Sequence, residues 1–159
     1  MTAASIFKLR WAVRSDYDAL AELMFDAIRT GDSPYDEQQR RAWLPAARSG
    51  PEWEARLASQ DIILAESQRR MVGFMSLAAG GYIDFAYIRP DAQHSGLFRR
   101  LFQRIEERAR ARGDRLLWVH ASLSAHPAFA AMGFVVRYGE MVELGGQQLQ
   151  RFEMEMPLP

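Results

Sequence analysis

The segment "GYIDFAYIRPDAQHSGLFRRLFQRIEERARARG", residues 81 to 113, constrains the fold more than any other. It runs from a strand through a proline and a single glycine into an amphipathic helix. Leu97, Phe98, Leu101, Phe102, Ile105 and Ala109 recur at helical spacing and form one apolar stripe, which directs Phe98 into the core. A helix entrance leaves four backbone N–H groups without helical partners, and the helix dipole places partial positive charge there. A glycine at that point lets a phosphate approach the backbone, so "QHSGLFRR" reads as an anion site suited to a pyrophosphate. The alternative is a plain strand–turn–helix whose glycine serves only the turn. Arg100, Arg104, Arg108 and Arg112 repeat along another face, a ladder read as solvated and self-repelling unless acids such as Glu107 interleave.

The flanking segments set the rest. "IFKLRWAV" (6–13) alternates as a strand, and "RSDYDALAELMFDAIR" has helical spacing with Ser15 or Asp16 placed to cap it. After the break "TGDSPY" come two short helices, one at 36–44 stopped by Pro45 and one opened by Pro51. "DIILAES" and "RMVGFMSLAA" are strands joined by the turn "SQRR", and "GGYIDFAYIRP" is a third. "DRLLWVHAS" is a strand, "SAHPAFAAM" a short helix, and the C-terminal 27 residues a hairpin turning at Gly145-Gly146. This order, with no repeat or linker in 159 residues, describes one mixed α/β or α+β domain spanning 1–159.

Composition excludes several functions. Lys and Arg total 20, and so do Asp and Glu, which weighs against a nucleic-acid partner. There is no cysteine, hence no disulfide, thiolate metal site or cysteine nucleophile. His94, His120 and His126 have no metal-ligand spacing, so no metal is expected. No segment has membrane-spanning length without charges, and the N-terminus has no signal-peptide layout, so the expected location is the cytoplasm.

"YIRPDAQHSGLFRRLF" resembles motif A of the GNAT superfamily of acyl-CoA-dependent N-acyltransferases, through Ile88, Pro90, Gln93 and Gly96. "SLSAHPAFAAMGF" is similar to the family's later small helix, through Ala125, Pro127, Gly133 and Phe134, and the likeness extends over essentially the whole chain. It implies a GNAT-like fold with a central, mostly antiparallel sheet splayed between its fourth and fifth strands and flanked by helices. It implies an N-acetyltransferase that uses acetyl-CoA as co-substrate. A primary amine, on a small molecule or a peptide N-terminus, would attack the thioester directly in a ternary complex. Ala86, Tyr87 and Ile88 would pair with the pantetheine arm, and Gln93, His94, Ser95, Gly96, Leu97, Phe98 and Arg99 would hold the pyrophosphate. Many members are dimers, and the strands "MVEL" and "FEMEMPL" would permit a homodimer.

Two positions depart from the family pattern. Phe98 stands where glycine or alanine is usual, and Phe129 stands where a tyrosine usually protonates the leaving thiolate. Ser122, Ser124 and Tyr138 are the nearby hydroxyls, with Ser124 read as a helix cap. These departures sustain a second reading, a catalytically weak acyl-CoA-binding member that serves as sensor or structural protein.

For the general base the candidate is Asp84, a mid-strand carboxylate expected on one face with Tyr82, Ala86 and Ile88. The competing reading is a carboxylate paired with an arginine. His120 and Glu66 are the weaker candidates. The acceptor pocket is expected to draw on Tyr35, Trp43, Asp32 and Asp36, although Asp36 precedes a helix and can cap it.

Overall fold

The structure is a computed structural model, and it describes residues 6–159. The strands are β1 (Lys8–Trp11), β2 (Asp61–Ser67), β3 (Arg70–Leu77), β4 (Tyr82–Ile88), β5 (Leu116–Ser122), β6 (Val135–Leu144) and β7 (Gln147–Pro157). The helices are α1 (Tyr17–Arg29), α2 (Glu37–Trp43), α3 (Pro51–Ala58), α4 (Leu97–Arg112) and α5 (His126–Met132). One sheet holds all seven strands in the order β1-β2-β3-β4-β5-β7-β6. Among the described residues no helix is long and apolar enough to cross a membrane.

The sheet is buried on both faces, and side-chain alternation assigns the faces. On β2, Ile63 and Ala65 join the core under α4 and α5, while Ile62 and Leu64 join the core under α1 and α3. Helix α4 contributes Leu97, Leu101, Phe102, Ile105 and Ala109 to the first core, as its stripe requires. Each of the larger side chains removed from water, the leucines, Phe102 and Ile105, contributes about 1.5–3 kcal/mol.

Four expectations are corrected by local geometry. Strand β1 is shorter than residues 6–13, because a 3-10 turn at Arg14–Asp16 takes over. Neither Ser15 nor Asp16 caps α1 through its side chain. Asp16 instead accepts from Val13 N at 2.7 Å and binds the Arg10 guanidinium at 2.7 and 2.9 Å. The arginine ladder is relieved by the sheet edge and not by Glu107. Arg104 and Arg108 lie over the Trp11 ring at 5.9 and 3.7 Å, Arg108 and Arg112 reach Asp61, and Arg112 also reaches Asp114. Arg100 donates to the Phe7 carbonyl.

The fourth correction shapes the site. Opposite β3, the register of β4 shifts between Met75↔Ala86 and Leu77↔Ile83, so Asp84 and Phe85 together oppose Ser76. Such a bulge adds one residue and resets the alternation of side chains. Tyr82 and Asp84 share a face as expected, but past the bulge that face carries Phe85 and Tyr87, while Ala86 and Ile88 turn to the α4 side. Buried Ser76 stabilises the bulge by accepting the Phe85 N–H at 3.0 Å.

Candidate active site

The sheet is antiparallel except where β4 meets β5. These two strands run parallel and pair only at Tyr82↔Trp118 and Ile83↔Val119. Beyond Ile83 they diverge, because β5 follows β7 along its full length while β4 follows β3. Two hydrogen bonds from one side chain tie the α1–α2 loop to the β5–β7 side of the wedge. Tyr35 is 5% exposed, and its hydroxyl donates to the Gln150 carbonyl at 2.6 Å and accepts the Leu123 N–H at 2.8 Å. Burial raises this phenol above its ordinary range, so it stays a neutral strut.

Two cavities occupy the wedge. The first, of about 310 Å³, is walled by β4 at Ala86, Tyr87 and Ile88 and by the loop entering α4 at Gln93, His94, Ser95 and Gly96. Leu97 and Phe98 continue that wall, and Ser122, Ser124, Ala125 and Ala128 face it. Of the residues singled out for a cofactor, only Arg99 is not on this wall; it is exposed on α4. At the entrance His94 and Gly96 have φ of 60° and 83°, left-handed conformations flanking Ser95. This backbone aims successive N–H groups outward, an anion-binding arrangement. A Cβ on Gly96 would meet nothing within 4 Å, so the space above it is open to a ligand. The loop is fixed from below, where Gln93 donates to the Ile88 carbonyl and Ser95 to the Ala92 carbonyl.

Phe98 is half-buried, packed edge-on against Phe129 with centroids 5.0 Å apart, and still on the cavity wall. Phe129 is 0% exposed and off that wall, between Phe98 and Phe134. A hydroxyl there would enter an apolar three-ring cluster, at a cost of about 1–3 kcal/mol. Phe129→Tyr is therefore expected to lower Tm by about 2–10 °C without accelerating thiol release from acetyl-CoA. A thermal melt and a thiol assay on the variant check this, and a faster variant would show that the hydroxyl reaches the cavity. Ser124 does not cap α5. The Ala125 N–H goes to Ser122 Oγ at 3.1 Å, and Ser124 lies on the cavity wall.

The second cavity, of about 250 Å³, adjoins the first through Trp43, Tyr87 and Ser122. Tyr35, Trp43, Tyr82, Phe85 and Tyr87 line it with aromatic surface, and Arg48, Arg56 and Arg151 line it with positive charge. Asp84 is in this cavity with its side chain 8% exposed. Both of its oxygens are engaged, by Arg56 at 2.8 and 2.6 Å and by Gln60 at 2.7 Å. The geometry is that of the arginine-paired carboxylate weighed against the base. Arg151 is likewise paired, with Glu140 at 2.6 Å. Arg48 makes no ion pair or hydrogen bond among the described residues.

His120 and Tyr82 lie on this wall too, with Tyr82 Oη 3.0 Å from His120 Nδ1. Glu66 is elsewhere, bound to Arg10 at 2.6 Å on the β1–β2 side of the sheet. Asp32 is on the first cavity, and Asp36 caps α2, accepting from Gln39 N while the Gln39 side chain accepts from Asp36 N. Sequence reasoning missed Arg48, in a loop without pattern. It also missed Glu153, whose signal was an acid among the apolar residues of "RFEMEM".

A splayed parallel pair, with bare helix amides at one end of the gap and an aromatic, cationic pocket at the other, leaves room for an extended phosphate-bearing ligand beside a smaller one. The chain belongs to the GNAT acetyltransferase family, whose domain model matches residues 32–156. It is similar to the L-amino acid N-acyltransferase MnaT of Escherichia coli, at 27% identity over 94% of this chain and 96% of that protein. A GCN5-related N-acetyltransferase from Rhodopseudomonas palustris is 33% identical, covers 95% of both chains and superposes with a TM-score of 0.85. A phosphinothricin acetyltransferase from Sinorhizobium meliloti, solved with acetyl-CoA, shares the fold at 20% identity and a TM-score of 0.71, over 96% of this chain and 89% of that one.

Proposed function

We propose that this acetyltransferase moves the acetyl group of acetyl-CoA to the primary amine of a small acceptor that also carries a carboxylate. The observation that carries the reading is the pair of adjoining cavities in the β4–β5 wedge. The pyrophosphate would lie on the amides of His94 to Phe98, over the open space at Gly96. The pantetheine arm would run along the β4 edge at Ala86 to Ile88, which has no β5 partner there. The thioester would then reach the point where Tyr87 and Ser122 line both cavities. Bound in this way, the reacting amine and carbonyl gain from proximity, and attack needs no covalent enzyme intermediate.

The acceptor class follows from charge. Asp84 already serves Arg56, and Arg151 already serves Glu140, which leaves Arg48 to receive an anion. The relative named for L-amino acids agrees with an acceptor bearing both groups. Arg48→Ala is expected to raise the KM of an L-amino acid acceptor about tenfold, with little effect on the corresponding decarboxylated amine. Thiol release from acetyl-CoA with matched acid and amine pairs measures both. Equal effects on the two would remove Arg48 from acceptor binding.

The second reading, an acyl-CoA-binding protein with little turnover, rests on the absence of a hydroxyl at Phe129. Tight acetyl-CoA binding with no thiol release across the acceptor panel would favour it.

A further inference from the structure

We propose that Tyr82, His120 and Glu153 form the proton relay that deprotonates the acceptor amine; the inference rests on the acetyl-transfer reading above. The three residues come from adjacent strands, and the register aligns them. His120 on β5 pairs directly with Glu153 on β7, and Glu153 pairs with Tyr138 on β6. Tyr82 on β4 pairs with Trp118, two residues before His120 on the same strand face. The Tyr82 ring lies 4.4 Å from Trp118 and 5.6 Å from His120, centroid to centroid. This is the one stretch where β4 and β5 are paired, so the relay sits at the closed foot of the wedge, under the acceptor cavity.

The polar contacts converge on Glu153. Glu153 is 9% exposed; its Oε1 accepts the Tyr138 hydroxyl at 2.9 Å and lies 3.3 Å from His120 Nε2. Its Oε2 faces Arg137 at 3.7 Å. The carboxylate faces Nε2 as an ion-pair contact and not as a hydrogen bond, and the relay assigns the imidazole hydrogen to that nitrogen. The Nδ1 lone pair then faces Tyr82, whose O–H must donate across 3.0 Å. The lone pairs of the phenol oxygen remain for a donor in the cavity, and the acceptor ammonium is such a donor.

The step balances. One N–H bond of the ammonium breaks as an O–H bond forms on Tyr82, while the original Tyr82 proton moves to His120 Nδ1. Tyr82 ends neutral, His120 becomes imidazolium beside Glu153, and the amine lone pair is free to attack the thioester carbonyl. The second amine proton leaves as the amide forms and goes to the departing sulfur. The His120 proton returns to solvent between turnovers. Burial, with Asp84 nearby, raises the Tyr82 phenol above its ordinary range, so it passes a proton without holding a phenolate. Asp84 accepts three hydrogen bonds from Arg56 and Gln60, and a proton taken there would weaken its pairing with the Arg56 guanidinium.

The test has two arms. Long-range nitrogen–proton NMR on histidine-labelled protein, with His120→Ala used for assignment, is expected to show the Nε2–H form of His120 and a shift of Nδ1 in Tyr82→Phe. An Nδ1–H form would overturn the relay, whatever the acceptor proves to be. In the kinetic arm, thiol release with saturating acetyl-CoA and a panel of L-amino acids is expected to fall about 100-fold in kcat for Tyr82→Phe and for His120→Ala. Calorimetric affinity for acetyl-CoA should stay within about threefold of wild type, and added imidazole should restore part of the His120→Ala rate. A Tyr82→Phe variant with wild-type kcat would overturn the relay. A wild-type protein that acetylates nothing in the panel would count against the proposed function itself, and the NMR arm then decides the relay alone.

Discussion

Gly81→Ala is expected to leave little folded protein at 37 °C. Gly81 has φ of 75°, a left-handed conformation that costs an ordinary residue about 1 kcal/mol. The larger cost is steric. A Cβ built on Gly81 falls 1.9 Å from the Leu116 carbonyl oxygen, which is backbone and cannot rotate away. The clash falls where β4 and β5 begin their short paired stretch, just before Tyr82↔Trp118. Relieving it requires separating the two strands, so the total cost should reach about 4–5 kcal/mol, a large part of the 5–15 kcal/mol that holds a typical domain together. Circular dichroism melts of wild type and variant measure this, and a Tm shift under about 3 °C would show that the strand foot is more pliable than its geometry.

The same feature shows what the sequence could and could not convey. The order of elements, the central strand-to-helix crossover and the Gly145-Gly146 hairpin were legible, because each depends on local periodicity or turn chemistry. The β4 bulge was not. It arises from two residues opposing buried Ser76, and nothing in "YIDFAYI" differs from an unbroken strand. The face expected to carry Tyr82, Asp84, Ala86 and Ile88 was therefore half right. The placement of Asp84 shows the same limit. A mid-strand carboxylate signals a buried partner or a catalytic role equally well, and only the fold brings Arg56 and Gln60 to it across 28 and 24 residues. The path from Tyr82 to Glu153 spans three strands, and pairings of that range follow from topology and not from local pattern.

Ala128→Trp is expected to abolish detectable binding of acetyl-CoA while leaving the fold intact. Ala128 is on α5, facing the β4 edge across the first cavity. An indole in place of its methyl would take up a large share of about 310 Å³ and occupy the path given to the pantetheine arm. The half-buried position opens onto the cavity and not onto the core, so overpacking strain should be small. The affinity loss should exceed about 100-fold, or about 2.7 kcal/mol, with Tm within about 3 °C of wild type. A variant that still binds acetyl-CoA tightly would place the donor outside this cavity.

The most direct test of the central claim is isothermal titration of the purified protein with acetyl-CoA, with CoA and dephospho-CoA alongside. The wedge, with its bare amides at His94 to Phe98, predicts one site per chain and a Kd of about 1–100 μM. It predicts binding of CoA itself, since the proposed cradle would hold the pyrophosphate. No heat of binding for acetyl-CoA or CoA up to about 1 mM, in protein shown to be folded, would contradict the account and leave Phe98 as the side chain that closes the cleft.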